Sequence, residues 1–403
     1  MTSTRFLSFA AIWAIITVGW AQPSAGLDAE IDAYLRAHVD ANGYMGTVLV
    51  ARGDEVLFEG SYGFADLEHQ VEHTRDSVFR IGSLTKQFTA AAVLDLADRG
   101  LVHLDDPLAR YLPDPPWTGR VTVRELLHHT SGVPDYTSLP GFAEMQRDPH
   151  ALGEILATFT ALPLEFDPGS RFAYSNSGYV LLAAVIERAS GRDYATYLRE
   201  RLLDPLELRA TAYDDPREVV PHRVDGYMPS GDGVRHAPVA HPSVASGAGA
   251  LRSTAEDLFR WERALQRGDV GAGISLEDML AEPVDVDADR GLAYGYGWYL
   301  EERDGRRLAF HGGATEGFMG AVATDPNEDV TVVVLSNVAL APSVAIARDL
   351  VAIVQDEPYE APAIRESVTV DDSVLRAYVG RYRLTPEMIA DATFEDGRLY
   401  IAA

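Results

Sequence analysis

The chain has 403 residues, 47% of them hydrophobic and 24% charged, which is the composition of a globular protein with an ample core rather than a disordered, fibrous or multi-spanning one. Its formal net charge of -27 at pH 7 disfavours nucleic acid and anionic lipid surfaces as partners. The absence of cysteine removes disulfides, thiolate metal sites and cysteine lipidation together.

Residues 1–21 read as an export signal: Arg5 supplies the positive end, the run 6–20 is apolar, and Gly19 and Ala21 are small at a cleavage position. The expected location is therefore the periplasm or the medium. An uncleaved anchor is the alternative, for which the apolar run is short, since a span takes about 20 residues. No later segment has the pattern of a membrane span.

Segments 46–51 and 56–60 flank Gly53-Asp54 and predict a hairpin that opens an antiparallel sheet. Next comes Ser83-Leu84-Thr85-Lys86, followed by Phe88, Ala91, Val93 and Leu96 in a helical pattern that stops at Gly100. The basic residues total 34, and Lys86 is the one lysine among them; every other is arginine. A guanidinium stays protonated at neutral pH, whereas a desolvated amine can lose its proton. The sole lysine thus marks a place where a removable proton matters. A separation of three residues brings the Ser83 hydroxyl and the Lys86 amine to one side of a helix start, where the helix dipole favours negative charge on the serine oxygen.

The middle, 105–267, is predicted to be mostly helical and loop-rich, with helices near 123–129, 177–189 and 193–203. Ser253 with Glu256 predicts a capping box ahead of Trp261 and Leu265. Tyr174-Ser175-Asn176 lies at a loop-to-helix junction. A tyrosine there can carry a proton between serine and leaving group if a nearby cation lowers its pKa, and the Asn176 amide can hold Lys86 and a substrate carbonyl. By itself the tripeptide is a helix cap. The adjacent His128 and His129 lack the spacing of metal ligands, so no metal and no cofactor is expected.

Strands return at 298–301, 307–310, 318–324 and 330–336, closed by a helix over 344–354. His311-Gly312-Gly313-Ala314 falls between two of them. Its glycines allow close backbone approach, the amides of Ser83 and Ala314 can form a two-donor oxyanion hole, and His311 can reach Tyr174 or, with Gly313, the substrate. Alone it would be a surface turn. Strands at both ends with helices between predict an α+β fold, an antiparallel sheet flanked by helices beside a mostly helical region, with the site at their junction. A proline-containing linker, 358–362, leads to an acidic tail segment, 371–403.

In order and separation, these motifs resemble those of the serine beta-lactamase and penicillin-binding-protein superfamily. The closest branch holds class C beta-lactamases, D-alanyl-D-alanine carboxypeptidases and related esterases. The resemblance covers 28–356 and includes the supporting stretches 126–132, 246–251 and 294–298. It implies a beta-lactamase/transpeptidase-like fold and a covalent acyl-enzyme, with Ser83 as nucleophile, Lys86 as base, Tyr174 as proton carrier and Asn176, His311 and Gly313 on the substrate. One position departs from the true beta-lactamases of this branch, which carry lysine where His311 stands; histidine there resembles the esterase and aminopeptidase relatives. A neutral imidazole attracts a carboxylate less than an ammonium does.

Ester, amide or peptide-like acyl donors are therefore expected ahead of penicillins. A weak beta-lactamase or a non-hydrolysing penicillin sensor is the alternative within the superfamily, and a metallohydrolase or an adhesive protein the alternative outside it. The tail resembles the opening of a lipocalin-like domain, although it is too short for a barrel core of its own. Oligomeric state has no signature in the sequence.

Overall fold

The computed structural model describes residues 26–230, 233–303, 305–362, 370–383, 389–395 and 397–402. The expected export signal lies outside these described residues. The chain divides into two compact units, Met1–Ala361 and Pro362–Ala403.

Eight strands of the first unit form one antiparallel sheet: β1 (Gly46–Arg52), β2 (Glu55–Tyr62), β3 (Val284–Asp287), β4 (Leu292–Tyr294), β5 (Tyr299–Arg303), β6 (Arg306–Thr315), β7 (Phe318–Asp325) and β8 (Val330–Ser336). Their order across the sheet is β3-β4-β5-β6-β7-β8-β1-β2. Strand β8 pairs with β1 from Gly46↔Ser336 to Arg52↔Val330, so the two ends of the unit meet in mid-sheet. This is the sheet assembled from both ends that the sequence pattern implies.

The apolar run of β8 has a physical reason in its position within the sheet. All seven of its residues are buried, and they alternate between two cores. Val330, Val332 and Val334 join Val48 and Val50 against helix α1 (Leu27–Asn42), whereas Val333 and Leu335 join Leu49 and Ala51 on the opposite face. The first face is closed by α1 and by a C-terminal helix over Ser343–Val354. The second packs against the helical region, including α2 (Thr85–Asp98), α3 (Asn176–Ser190) and α4 (Ala255–Arg267).

Several expectations shift. Helix α1 has no counterpart in the sequence reading; it begins at Gly26 without a side-chain cap, so the usual starting signal is missing. The cap of α4 is Thr254, which accepts from the Asp257 amide, because Ser253 is still the last residue of a short strand, Leu251–Ser253. The middle also holds a small hairpin, Tyr227–Ser230 with Gly233–His236. Strand β6 runs on through Thr315, so His311 to Ala314 are strand residues paired to β7 rather than a turn.

The second unit contains a short helix, Asp372–Ala377, and a three-stranded antiparallel sheet of Gly380–Arg383, Ile389–Glu395 and Arg398–Ala402. The lipocalin-like likeness of 371–403 rests on sequence alone. Among the described residues no helix is long and apolar enough to cross a membrane.

Candidate active site

Ser83 sits in a single 3-10 turn, Gly82–Leu84, that runs directly into α2, and Lys86 is the second residue of that helix. The turn is pressed against strand β6. Gly82 has φ 50, and a Cβ there would lie 2.6 Å from the Ala314 carbonyl oxygen and 2.7 Å from its nitrogen. A Cβ on Gly313 would meet the Ile81 carbonyl oxygen at 2.0 Å. Both positions need glycine for the two backbones to approach, which places Ser83 beside Ala314.

The Lys86 side chain is fully buried. Its Nζ lies 3.0 Å from Ser83 Oγ, 2.9 Å from Asn176 Oδ1 and 2.9 Å from the Ala248 carbonyl oxygen. It also sits 4.7 Å from the centre of the Tyr174 ring. None of the direct partners is a carboxylate. Burial therefore dominates and lowers the lysine pKa to about 7, while the more distant Asp135 pulls it upward.

At the head of α3, Ser175 does the capping, accepting from the Gly178 amide, which leaves Asn176 free for other work. That work is within the protein. While Oδ1 accepts from Lys86, Nδ2 donates to Asp135 Oδ2 at 3.2 Å and to Thr137 Oγ1 at 3.4 Å. The amide expected to hold a substrate carbonyl is thus committed on both sides. Tyr174 is drawn to Ser83 by a hydrogen bond, but burial has the larger influence and raises its phenol well above the ordinary value. The expected cation-lowered tyrosine is instead a firmly protonated phenol.

His311 is 2% exposed and does not line the pocket, but its ring meets that of Tyr174 at 6.2 Å between centres, as expected. Its Nδ1 is 2.6 Å from the Gly312 carbonyl oxygen and its Nε2 is 3.1 Å from the Tyr294 hydroxyl on β4. Burial, then the nearby Lys86, push its pKa down to about 3, so it is neutral. Gly313 likewise serves the close approach to Ile81 and does not line the pocket. His129 is buried among Tyr174, Tyr179, Phe172 and Tyr294 and accepts from the Ser175 amide through Nδ1. His128 stacks on Tyr296 at 4.7 Å. Among the described residues no cluster of side chains could hold a metal ion.

A pocket of about 340 Å³ opens over this centre. Ser83, Asn176 and Ala314 form its floor side, Tyr136, Phe142 and Val244 give it an apolar wall, and Arg80, Asp214 and Glu316 bring charge to it. The geometry offers a half-buried hydroxyl on the pocket lining beside a buried amine that can be neutral near pH 7, next to two backbones in close approach at Gly82 and Ala314.

Residues 31–356 match the family model described as Beta-lactamase. The chain belongs to the Beta-lactamase family. Within that family it is 31% identical over 382 residues to penicillin-binding protein 4* of Bacillus subtilis (strain 168), covering 89% of this chain and 83% of that protein. It is 30% identical to the D-aminopeptidase of Gluconobacter oxydans (strain 621H) over 84% of this chain, and spans 63% of that longer protein. The solved D-amino acid amidase of Ochrobactrum anthropi SV3, complexed with D-phenylalanine, superposes with a TM-score of 0.72 at 27% identity, over 82% of this chain and 98% of that one. The beta-lactamase/transpeptidase-like fold is thereby shown, and the serine hydrolases among these Beta-lactamase family relatives include enzymes named for amide and peptide substrates.

Three contributors escape a sequence reading. The Ala248 oxygen is a backbone group that any residue could supply. Asp135 lies in a loop with no motif of its own. Glu316 follows the strand motif but carries no spacing rule.

Proposed function

We propose that this protein is a serine hydrolase that forms a covalent acyl-enzyme on Ser83 and acts on amide, peptide-like or ester acyl donors. The reading is carried by the 3.0 Å contact between Ser83 Oγ and a fully buried Lys86 amine whose pKa is lowered to about 7. Neutral Lys86 takes the hydroxyl proton as Ser83 attacks the acyl carbon. Negative charge on the former carbonyl oxygen is met by the amides of Ser83 and Ala314. As the tetrahedral intermediate collapses, Tyr174 gives its proton to the leaving group and regains one from the Lys86 ammonium. Water then adds to the acyl-enzyme, with the same groups returning the proton to Ser83.

The preference for amides and esters over penicillins is supported by His311, a neutral and buried imidazole at the position where the beta-lactamases this chain resembles carry lysine. The likeness to penicillin-binding protein 4* favours one second reading, slow acylation by penicillins, in which mass spectrometry would find a persistent adduct on Ser83. Export rests on the signal pattern of residues 1–21.

Rapid mixing with an activated aryl ester tests the reading. The native chain gives a burst of leaving group equivalent to one site per chain, and Ser83→Ala gives none. An undiminished burst from Ser83→Ala overturns the assignment.

A further inference from the structure

The charged groups around the pocket are not equally available. Arg80 is the cation on its wall, and its fork is already engaged: Nε donates to Asp214 Oδ2 at 2.9 Å and Nη1 to the Ala240 carbonyl oxygen at 2.8 Å. Asp214 is in turn held by Arg223 at 3.1 Å, so this group is an internal ion network. Lys86 is enclosed by its three acceptors, and His311 has both ring nitrogens partnered within the fold. A substrate carboxylate would find no cation waiting for it.

Glu316 is in the opposite condition. It occupies the first position of the two-residue turn between β6 and β7, and Gly317 takes the second with φ 81. Thr315 Oγ1 donates to its Oε2 at 2.8 Å, which steadies the carboxylate, and among the described residues Oε1 accepts no hydrogen bond. Among the described residues it makes no ion pair, although the same pocket is lined by Ser83 and Ala314. Glu316 is two residues beyond Ala314, and both line the same pocket. An acyl carbon held at the Ala314 amide carries its α-substituent only two bonds away, on the scale that a glutamate side chain bridges.

We propose that Glu316 binds the α-ammonium group of the substrate, so that the site selects amino-acid amides, peptides or esters with a free amine over N-acylated or carboxylate-bearing donors. The proposal rests on the acyl-enzyme reading of Ser83 and adds the substrate class. A charge-assisted hydrogen bond from ammonium to carboxylate supplies the preference, and the chain-wide charge of -27 raises the local concentration of cations.

The test compares Glu316→Gln with the native chain on both enantiomers of phenylalanine p-nitroanilide and on their N-acetyl derivatives, with p-nitrophenyl acetate as the measure of intact acylation. The native chain favours the free amine, and Glu316→Gln lowers the free-amine to N-acetyl ratio of kcat/KM by roughly 10- to 100-fold, mainly through KM. An unchanged ratio, or a native preference for the N-acetyl compound or for a cephalosporin, overturns the proposal while leaving the acyl-enzyme intact. A native chain inert even to the acetate ester defeats the acyl-enzyme reading and this inference with it.

Discussion

Helix α2 buries two ionisable side chains and treats them in opposite ways. At its head Lys86 is surrounded by a hydroxyl, an amide oxygen and a carbonyl, all neutral, and burial brings its pKa to about 7. Nine residues on, Asp95 is equally inaccessible. Burial pushes its pKa up, but Arg201 donates two hydrogen bonds and Tyr197 a third, and the net direction is down. One buried group is denied a counter-charge and can change protonation state; the other is given one and cannot. The difference between a reactive group and an architectural one on this helix is the neighbour, not the depth.

Replacing Lys86 with arginine breaks the contrast most severely. It keeps the positive charge and removes the basicity, so acylation by an aryl ester falls by about 10²- to 10⁴-fold, the usual worth of a general base. Stopped-flow acylation rates check it, and near-native acylation would exclude Lys86 as proton acceptor.

Asp95→Asn attacks the other end. The paired guanidiniums of Arg201 and Arg99 are partly exposed, at 38% and 40%, so solvent screening limits the loss to about 2 kcal/mol rather than the larger cost of a wholly buried charge. Urea denaturation reads the stability, and the remaining folded protein keeps its ester KM. A large fall in KM-corrected turnover with unchanged stability would contradict the division of roles.

The mildest change sharpens the comparison at the head of the helix. Activity requires the neutral amine, so kcat/KM falls about tenfold per unit as pH drops below about 7 and levels off above it. Asp135 raises the Lys86 pKa and holds the Asn176 amide group. Asp135→Asn removes that charge, so the acid limb moves to lower pH. A pH profile displaced upward would refute this assignment.

What the sequence discloses about this centre follows from side-chain chemistry. Ser83 and Lys86 are legible because helical spacing joins them and because the lysine stands alone among 34 basic residues. Tyr174 and Asn176 are legible as part of an ordered set of motifs. The close backbone approach expected of the glycines holds at Gly313, and His311 meets the Tyr174 ring, whereas its hydrogen bond to Tyr294 depends on the register with β7 that carries the strand to Thr315 and has no signal in the sequence. Asp135 and Glu316 could not be picked from 61 acidic residues, since neither has a partner at a fixed interval. Among the sheet strands, 46–51 and 330–336 were clear, yet their pairing across the chain is a tertiary fact that follows from the two-core alternation.

That pairing also has a consequence for biogenesis. On a ribosome or a translocon, β1 and β2 emerge long before β8, and until Ser336 follows them the inner side of β1 is an open ladder with the Tyr44 hydroxyl lacking its bond to the Leu335 carbonyl. Contacts of such high sequence separation form slowly, and an unpaired apolar strand is the part of a chain that sticks to others. The nascent protein therefore carries its own aggregation hazard for most of its synthesis, and holdase chaperones that mask residues 46–52 are the natural remedy.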